Sequence, residues 1–178
     1  MLLSLYCKKA EKLYHNRHMQ TTPLPHVLIL HDVRSAQNVG ALFRTADAVG
    51  IKKIFLSAIT PQPIDRFGRS RKDLAKTALG SEKTLSWESY EDPKKLIAML
   101  KQSGYTVVAI EQAENAIDYK TITTKTPLAF MLGNEVSGIP KTILGAVDTV
   151  VQIPMFGEKE SLNVSVAGGI VLFRTLDY

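Results

Sequence analysis

The sequence contains one cysteine, one tryptophan and no apolar run of membrane-spanning length. A lone Cys7 excludes an internal disulfide framework, and no group of Cys and His has metal-ligand spacing, so no metal is expected. A reducing compartment follows, and the expected location is cytoplasmic. The opening apolar run, residues 1–6, has its lysines after it, the reverse of the order in a secretory leader. Two familiar nucleotide signatures are also missing. Gly133 and Gly138 have the glycine spacing of a phosphate-binding loop, but Ile139-Pro140 stands where a Lys and a Ser or Thr are required. No G-x-G-x-x-G follows any expected strand, which excludes an ordinary dinucleotide site.

What is present describes one compact domain. At 178 residues, 45% hydrophobic and 22% charged, the chain can bury a sizeable core. The net charge is +5, and it is clustered. Residues 1–26 carry Lys8, Lys9, Lys12 and Arg17 against Glu11; residues 65–76 carry Arg66, Arg69, Arg71, Lys72 and Lys76 against Asp65 and Asp73. Each stretch has a net charge of +3. Clustered base attracts a phosphate backbone through counterion release, although a solvated basic face has the same composition.

Short β-branched runs alternate with helical patterns. Residues 27–31, 53–56, 105–111, 128–132 and 150–153 are expected strands, with 84–87 as a sixth; 39–49, 71–79, 93–102 and 141–146 are expected helices. This alternation implies an α/β fold with a mostly parallel sheet covered by helices on both faces. Residues 59–68 hold two prolines and show no period, and are expected to form a working surface loop. The C-terminal segment is ambiguous. Leu162, Val164 and Val166 alternate with polar residues as in a strand, and Gly168-Gly169 would cost a helix about 1 kcal/mol each. Ser161 or Asn163 as an N-cap and the spacing of Leu162, Val166, Gly169 and Ile170 favour a helix from about residue 162 to the C-terminus, and we adopt the helix.

The last third is the most informative stretch. Leu132-Gly133-Asn134-Glu135-Val136-Ser137-Gly138 ends one apolar run, and Ile153-Pro154-Met155 through Ser161-Leu162-Asn163-Val164-Ser165-Val166-Ala167 ends the next. Both are glycine-containing turns that bring main-chain groups, a carboxylate and an Asn amide to one sheet edge. Together with Asn38-Val39-Gly40-Ala41-Leu42-Phe43-Arg44-Thr45-Ala46, these ordered motifs resemble the SpoU (TrmH-like) branch of the SPOUT RNA methyltransferases, over residues from about 26 to 178. The resemblance implies a deep C-terminal trefoil knot, an exception to the rule that chains do not thread their own loops. It also implies a homodimer and S-adenosyl-L-methionine bound in the knot, largely by main-chain groups. Gly133, Ile153 and Leu162 are the implied cofactor positions, with Met155 and Gln112 beside them.

The implied reaction is 2′-O-methylation of a ribose in structured RNA, transfer or ribosomal, with a lean to transfer RNA. A ribose hydroxyl is a poor nucleophile, so a base or a field that stabilises the developing alkoxide is required. By resemblance Arg44 activates the hydroxyl. A guanidinium stays protonated, so its role reads as alkoxide stabiliser and phosphate clamp. Asn38 is expected in the turn before its helix, orienting ribose or phosphate. By resemblance Glu135 braces the site, and Ser161 and Asn163 position substrate and hold the cofactor loop. Arg66, Arg69, Arg71 and Lys72 are the expected RNA contacts, and Phe67, Trp87 and Tyr90 could stack on unpaired bases. Residues 1–25 form a short basic extension, too short for a separate RNA-binding domain, before a methyltransferase domain at 26–178. Alternatives are a non-catalytic knotted RNA-binding module and a SPOUT enzyme directed at a base atom.

Overall fold

The computed structural model describes residues 24–176; the basic residues of 1–23, with Cys7, His15 and His18, lie outside them. The described strands are β1 (Val27–His31), β2 (Lys53–Ser57), β3 (Ser86–Tyr90), β4 (Thr106–Ile110), β5 (Ile117–Asp118), β6 (Leu128–Leu132) and β7 (Thr149–Gln152). They form a sheet of order β3-β2-β1-β6-β4-β7-β5, parallel at every pairing. The helices are α1 (Ala36–Ala48), α2 (Lys72–Ala78), α3 (Ser81–Thr84), α4 (Pro93–Gln102), α5 (Lys141–Leu144) and α6 (Val164–Thr175), with a 3-10 turn at Tyr119–Thr121.

Every residue of β1 and β6 is buried, as central strands covered on both faces require. Two cores result. Leu28, Leu30, Phe130 and Leu132 pack with Leu42, Phe43, Leu74, Val171 and Leu172 of α1, α2 and α6 on one face. Val27, Ile29, Ala129 and Met131 pack with Leu96, Ile97, Leu100 and Ile143 of α4 and α5 on the other. The expected α/β architecture is therefore present.

Several boundaries differ from expectation, each for a local reason. Thr84 ends α3 instead of opening a strand, because Gly80 at φ 101 starts a helical turn there, and β3 begins two residues later at Ser86. The two-residue strand β5 had no alternating signature to reveal it. The Ser35 hydroxyl accepts the N–H of Asn38 at 3.3 Å, so α1 starts at Ala36 and Asn38 sits inside its first turn, not in the turn before it. The C-terminal segment is a helix and Asn163 caps it, accepting Ser165 N–H at 2.9 Å, while Ser161 lies before the cap. Gly168 faces inward: a Cβ there would lie 2.7 Å from Leu42 and 2.8 Å from Leu132. Tertiary packing thus outweighs glycine's low helix propensity. Trp87 is half-buried against the first core.

Candidate active site

The loops after β1, β4, β6 and β7 all leave the carboxyl edge of the sheet, where open α/β sheets bind ligands. Those after β4, β6 and β7 line a half-open cleft of about 140 Å³, with Glu111, Gln112, Gly133, Glu135, Ile153 and Leu162 among its walls. Gly133 is required there by close approach: a Cβ would stand 2.5 Å from Ile139 Cγ1 and 2.7 Å from the Gly138 carbonyl carbon. The turn it opens is closed by Asn134, whose Oδ1 accepts Val136 and Ser137 N–H at 2.9 Å each. Gly138 at φ 65 completes it.

This turn aims Glu135 at the start of α1. Glu135 accepts the N–H of Arg34 and of Ser35, each at 3.0 Å, and the Asn38 amide at 2.9 Å. Partial burial raises its pKa, but the hydrogen bonds from Arg34, Asn38 and Ser35 outweigh burial and hold the carboxyl below the usual glutamate range. A carboxylate at a helix N-terminus also meets the positive end of the helix dipole. Asn38 in turn accepts the Asn163 amide at 3.1 Å. Glu135, Asn38 and Asn163 therefore form one continuous hydrogen-bonded line across the three sequence motifs, with each amide orientation set by its neighbours.

Of the expected site residues, Gly133, Glu135, Gln112, Ile153, Ser161 and Leu162 line the cleft, while Asn38 and Asn163 stand behind Glu135. Gln112 donates to the Ile153 carbonyl at 2.8 Å, tying the β4 and β7 edges together. Met155 is half-buried beyond the lining. Arg44 is exposed and does not line the cleft: it borders a shallow surface with Ala41, Thr45, Lys76 and Leu79. Six residues along α1 from Asn38 place it about 9 Å along the axis and on another side. Arg66 and Arg69 lie on the loop between β2 and α2, with Arg71 as the N-cap residue of α2 and Lys72 as its first residue. Arg69 pairs with Asp65 and Arg71 with Asp73, each at 2.9 Å, so part of the basic cluster is internally neutralised.

Three site residues escaped the sequence reading. Glu111 accepts Ile139 N–H at 2.7 Å and Gln112 N–H at 3.0 Å, and abuts Gly138. Asp32, at φ 55, takes the Asn134 amide on its carbonyl (2.9 Å) and its carboxylate (3.2 Å). Ser35 caps α1. None belongs to a motif; a carboxyl or hydroxyl residue just after an apolar strand was the only available signal. Among the described residues no group of three or more His, Cys, Asp or Glu could hold a metal ion, and no helix is long and apolar enough to cross a membrane.

Over 145 residues the chain is 32% identical to the tRNA (guanosine(18)-2′-O)-methyltransferase of Escherichia coli (strain K12), covering 82% of this chain and 60% of that one. Its Thermus thermophilus counterpart is 32% identical over 148 residues, 83% of this chain and 72% of that one. The chain thus spans about three-fifths of the E. coli relative's length. An AdoMet-bound rRNA methyltransferase from Sinorhizobium meliloti superposes with a TM-score of 0.76 at 29% identity, covering 89% of this chain and 58% of that one. The family model for SpoU rRNA methylases matches residues 25–173, and the chain belongs to that family.

Proposed function

We propose that this chain transfers a methyl group from S-adenosyl-L-methionine to a ribose 2′-hydroxyl of a structured RNA, with transfer RNA the favoured class. The observation that carries the reading is the Glu135–Asn38–Asn163 line standing against a cleft edged by Gly133, Ile153 and Leu162. The cleft fits the cofactor. It is open to solvent on one side, it combines apolar walls with main-chain edges, and the missing Cβ of Gly133 leaves the 133–139 turn tightly folded at its rim. The E. coli and T. thermophilus relatives are named as tRNA 2′-O-methyltransferases and the S. meliloti structure holds AdoMet, which supports the same assignment.

Once bound, S-adenosyl-L-methionine supplies a methyl group already activated on a sulfonium. The chain's residues supply the rest. Gly133, Ile153, Leu162 and Gln112 hold the cofactor at the sheet edge, with Met155 on the same segment. Glu135, fixed by Arg34 and Ser35, locks the Asn38 amide, and Ser161 and Asn163 orient the ribose. Arg44 stabilises the developing alkoxide and its neighbouring phosphate. Because Arg44 lies off its own chain's cleft, it reaches the ribose across a homodimer. An apolar side of α6, with Val166 49% exposed and Ile170 beside the open Gly169, together with Leu79 near Arg44, supports such an interface.

Ile153 and then Ser161 and Leu162 line the same cleft as Gly133 and Glu135 before α6 packs on α1; the threaded C-terminal knot rests on the family to which the chain belongs. Arg66, Arg69, Arg71 and Lys72 hold the RNA backbone, and the protein works in the cytoplasm. The test is transfer of labelled methyl from S-adenosyl-L-methionine to the 2′-oxygens of total transfer RNA, alongside ligand-induced thermal stabilisation without added metal. Absence of both would sink the reading.

A further inference from the structure

The loop that leaves β2 is a built projection. Its root is fixed by Thr60, whose hydroxyl shares its one proton between the Leu30 and Ser57 carbonyls (3.0 and 2.8 Å) and accepts the Val33 N–H at 3.1 Å. Val33 adjoins Arg34, the residue that Glu135 holds. Further out, Ile64 and Ser70 pair as an antiparallel bridge, and Asp65 accepts the N–H groups of Phe67 (2.8 Å) and Arg69 (2.9 Å) as well as Arg69 Nε (2.9 Å). Gly68 at φ 77 turns the tip. All of this order presents one apolar ring to solvent: Phe67 is 65% exposed. The guanidinium carbons of Arg66 and Arg69 lie 4.8 and 4.9 Å from its centroid. Arg69 is tied to Asp65, whereas Arg66 forms no ion pair among the described residues.

The Asp65 carboxylate fixes the main chain at Phe67, two guanidinium groups stand over the ring, one ion-paired and one not, and the ring contributes to neither core, so Arg66 is free to leave the ring face for a phosphate. The tip has the composition of a stacking platform for an unpaired nucleobase with a cation for the adjoining phosphate. Resting on the RNA reading above, we infer that residues 64–70 form a nucleotide-binding tongue. Phe67 stacks on an unpaired base close to the methylated ribose, and Arg66 takes the phosphate of that nucleotide. Because the tongue is rooted at Val33 and Thr60, beside the Glu135 line, the base it grips flanks the target, and the tongue selects RNA in which that region is single-stranded.

Stacking and charge have different salt signatures, which makes the inference testable on the full chain. The probes are a labelled RNA hairpin with an open loop, the same stem closed as a blunt duplex, and single-stranded RNA of about ten nucleotides. Phe67→Ala should weaken the hairpin and single strand about 5- to 100-fold, leave the duplex unchanged, and leave the salt slope unchanged. Phe67→Trp should restore binding. Arg66→Ala should lower the slope of log affinity against log salt by about 0.7, one phosphate contact on a single strand. Phe67 is exposed, so an unchanged melting temperature is expected and verifies folding. Wild-type affinity of Phe67→Ala for the hairpin, or equal losses for hairpin and duplex, overturns the tongue while leaving methyl transfer intact. Failure of the wild-type chain to bind any of the probes or to methylate RNA overturns the RNA reading and the tongue with it.

Discussion

The Asn163 side chain donates to Asn38 Oδ1 at 3.1 Å, joining residues 125 positions apart at the N-termini of two helices. The same Asn163 Oδ1 accepts the Ser165 N–H at 2.9 Å and the Ser165 hydroxyl at 2.7 Å. One amide therefore uses its oxygen to cap α6 and its nitrogen to orient Asn38, which Glu135 holds from the other side. The two functions are separable by substitution.

Asn163→Asp keeps a capping oxygen but loses the donor, so it should fold with a near wild-type melting temperature while methyl transfer falls at least tenfold. Asn163→Ala should lose the cap as well, at about 1 kcal/mol. Thermal denaturation alongside single-turnover transfer separates them; equal activity of Asp and wild type would show that the bond to Asn38 orients nothing.

Gly133→Ala forces a methyl group against Ile139 and the Gly138 main chain. Overpacking of this kind costs about 1–3 kcal/mol, and here it displaces the turn that carries Glu135. The variant should melt at a lower temperature and show no stabilisation by S-adenosyl-L-methionine or its demethylated product. Wild-type stabilisation by either ligand would mean that the 133–139 turn is not part of the cofactor site.

Arg44→Ala should bind cofactor as wild type does, because the residue is absent from the cleft wall, yet lose about 10²–10³ in transfer rate. Arg44→Lys should recover little, since an ammonium lacks the guanidinium fork. Mixing Arg44→Ala chains with Glu135→Ala chains tests the dimer: a site assembled from both copies regains activity in the mixed species, and a site complete within one chain does not.

Acid should weaken the fold through two kinds of group with the same sign. Burial lowers the pKa of His26, whose Nδ1 accepts the Leu128 N–H at 3.0 Å and so must be unprotonated. Hydrogen bonding lowers that of Glu135 despite partial burial. A depressed folded pKa gives stability that is full above the unfolded value and is lost as pH falls through the folded one. Melting temperature should thus decline below pH 6.5 as His26 and His31, both with a pKa lowered by burial, are forced to charge. It should decline again below the ordinary glutamate range, where the advantage of wild type over Glu135→Gln disappears. A melting temperature that is flat from neutral pH down to the glutamate range would remove the histidine contribution.

The strands at 27–31 and 128–132 were legible because a fully buried parallel strand is a continuous apolar run, and both carry such runs. The strand β3 was misplaced because its burial is slight and its neighbour α3 is one turn long, so neither has a period to read. Within the site, the motif residues were legible as types. Geometry settled their places: of the two candidate caps Asn163 holds the position and Ser161 does not, and Asn38 lies inside the helix because Ser35 takes the capping position. Glu111, Asp32 and Ser35 stayed hidden since each matters for what it faces, not for its sequence neighbours.

Residue types and their spacing establish the class of fold, the absence of a phosphate-loop or dinucleotide motif, and the three stretches that the candidate site draws on. Those depend on periodicity and residue type, which are local. Which groups meet is fixed by the folded chain: Glu135 reaches back about 100 residues to Arg34, Ser35 and Asn38, Asn163 closes the same line, and Arg44 stands apart from it. It also gives the physical reason for the helix expected at the C-terminus: Gly168 makes a close approach to Leu42 and Leu132 that no pattern read along the chain can register. Long-range hydrogen bonds and packing are properties of chain crossings at a sheet edge, and no local pattern encodes them.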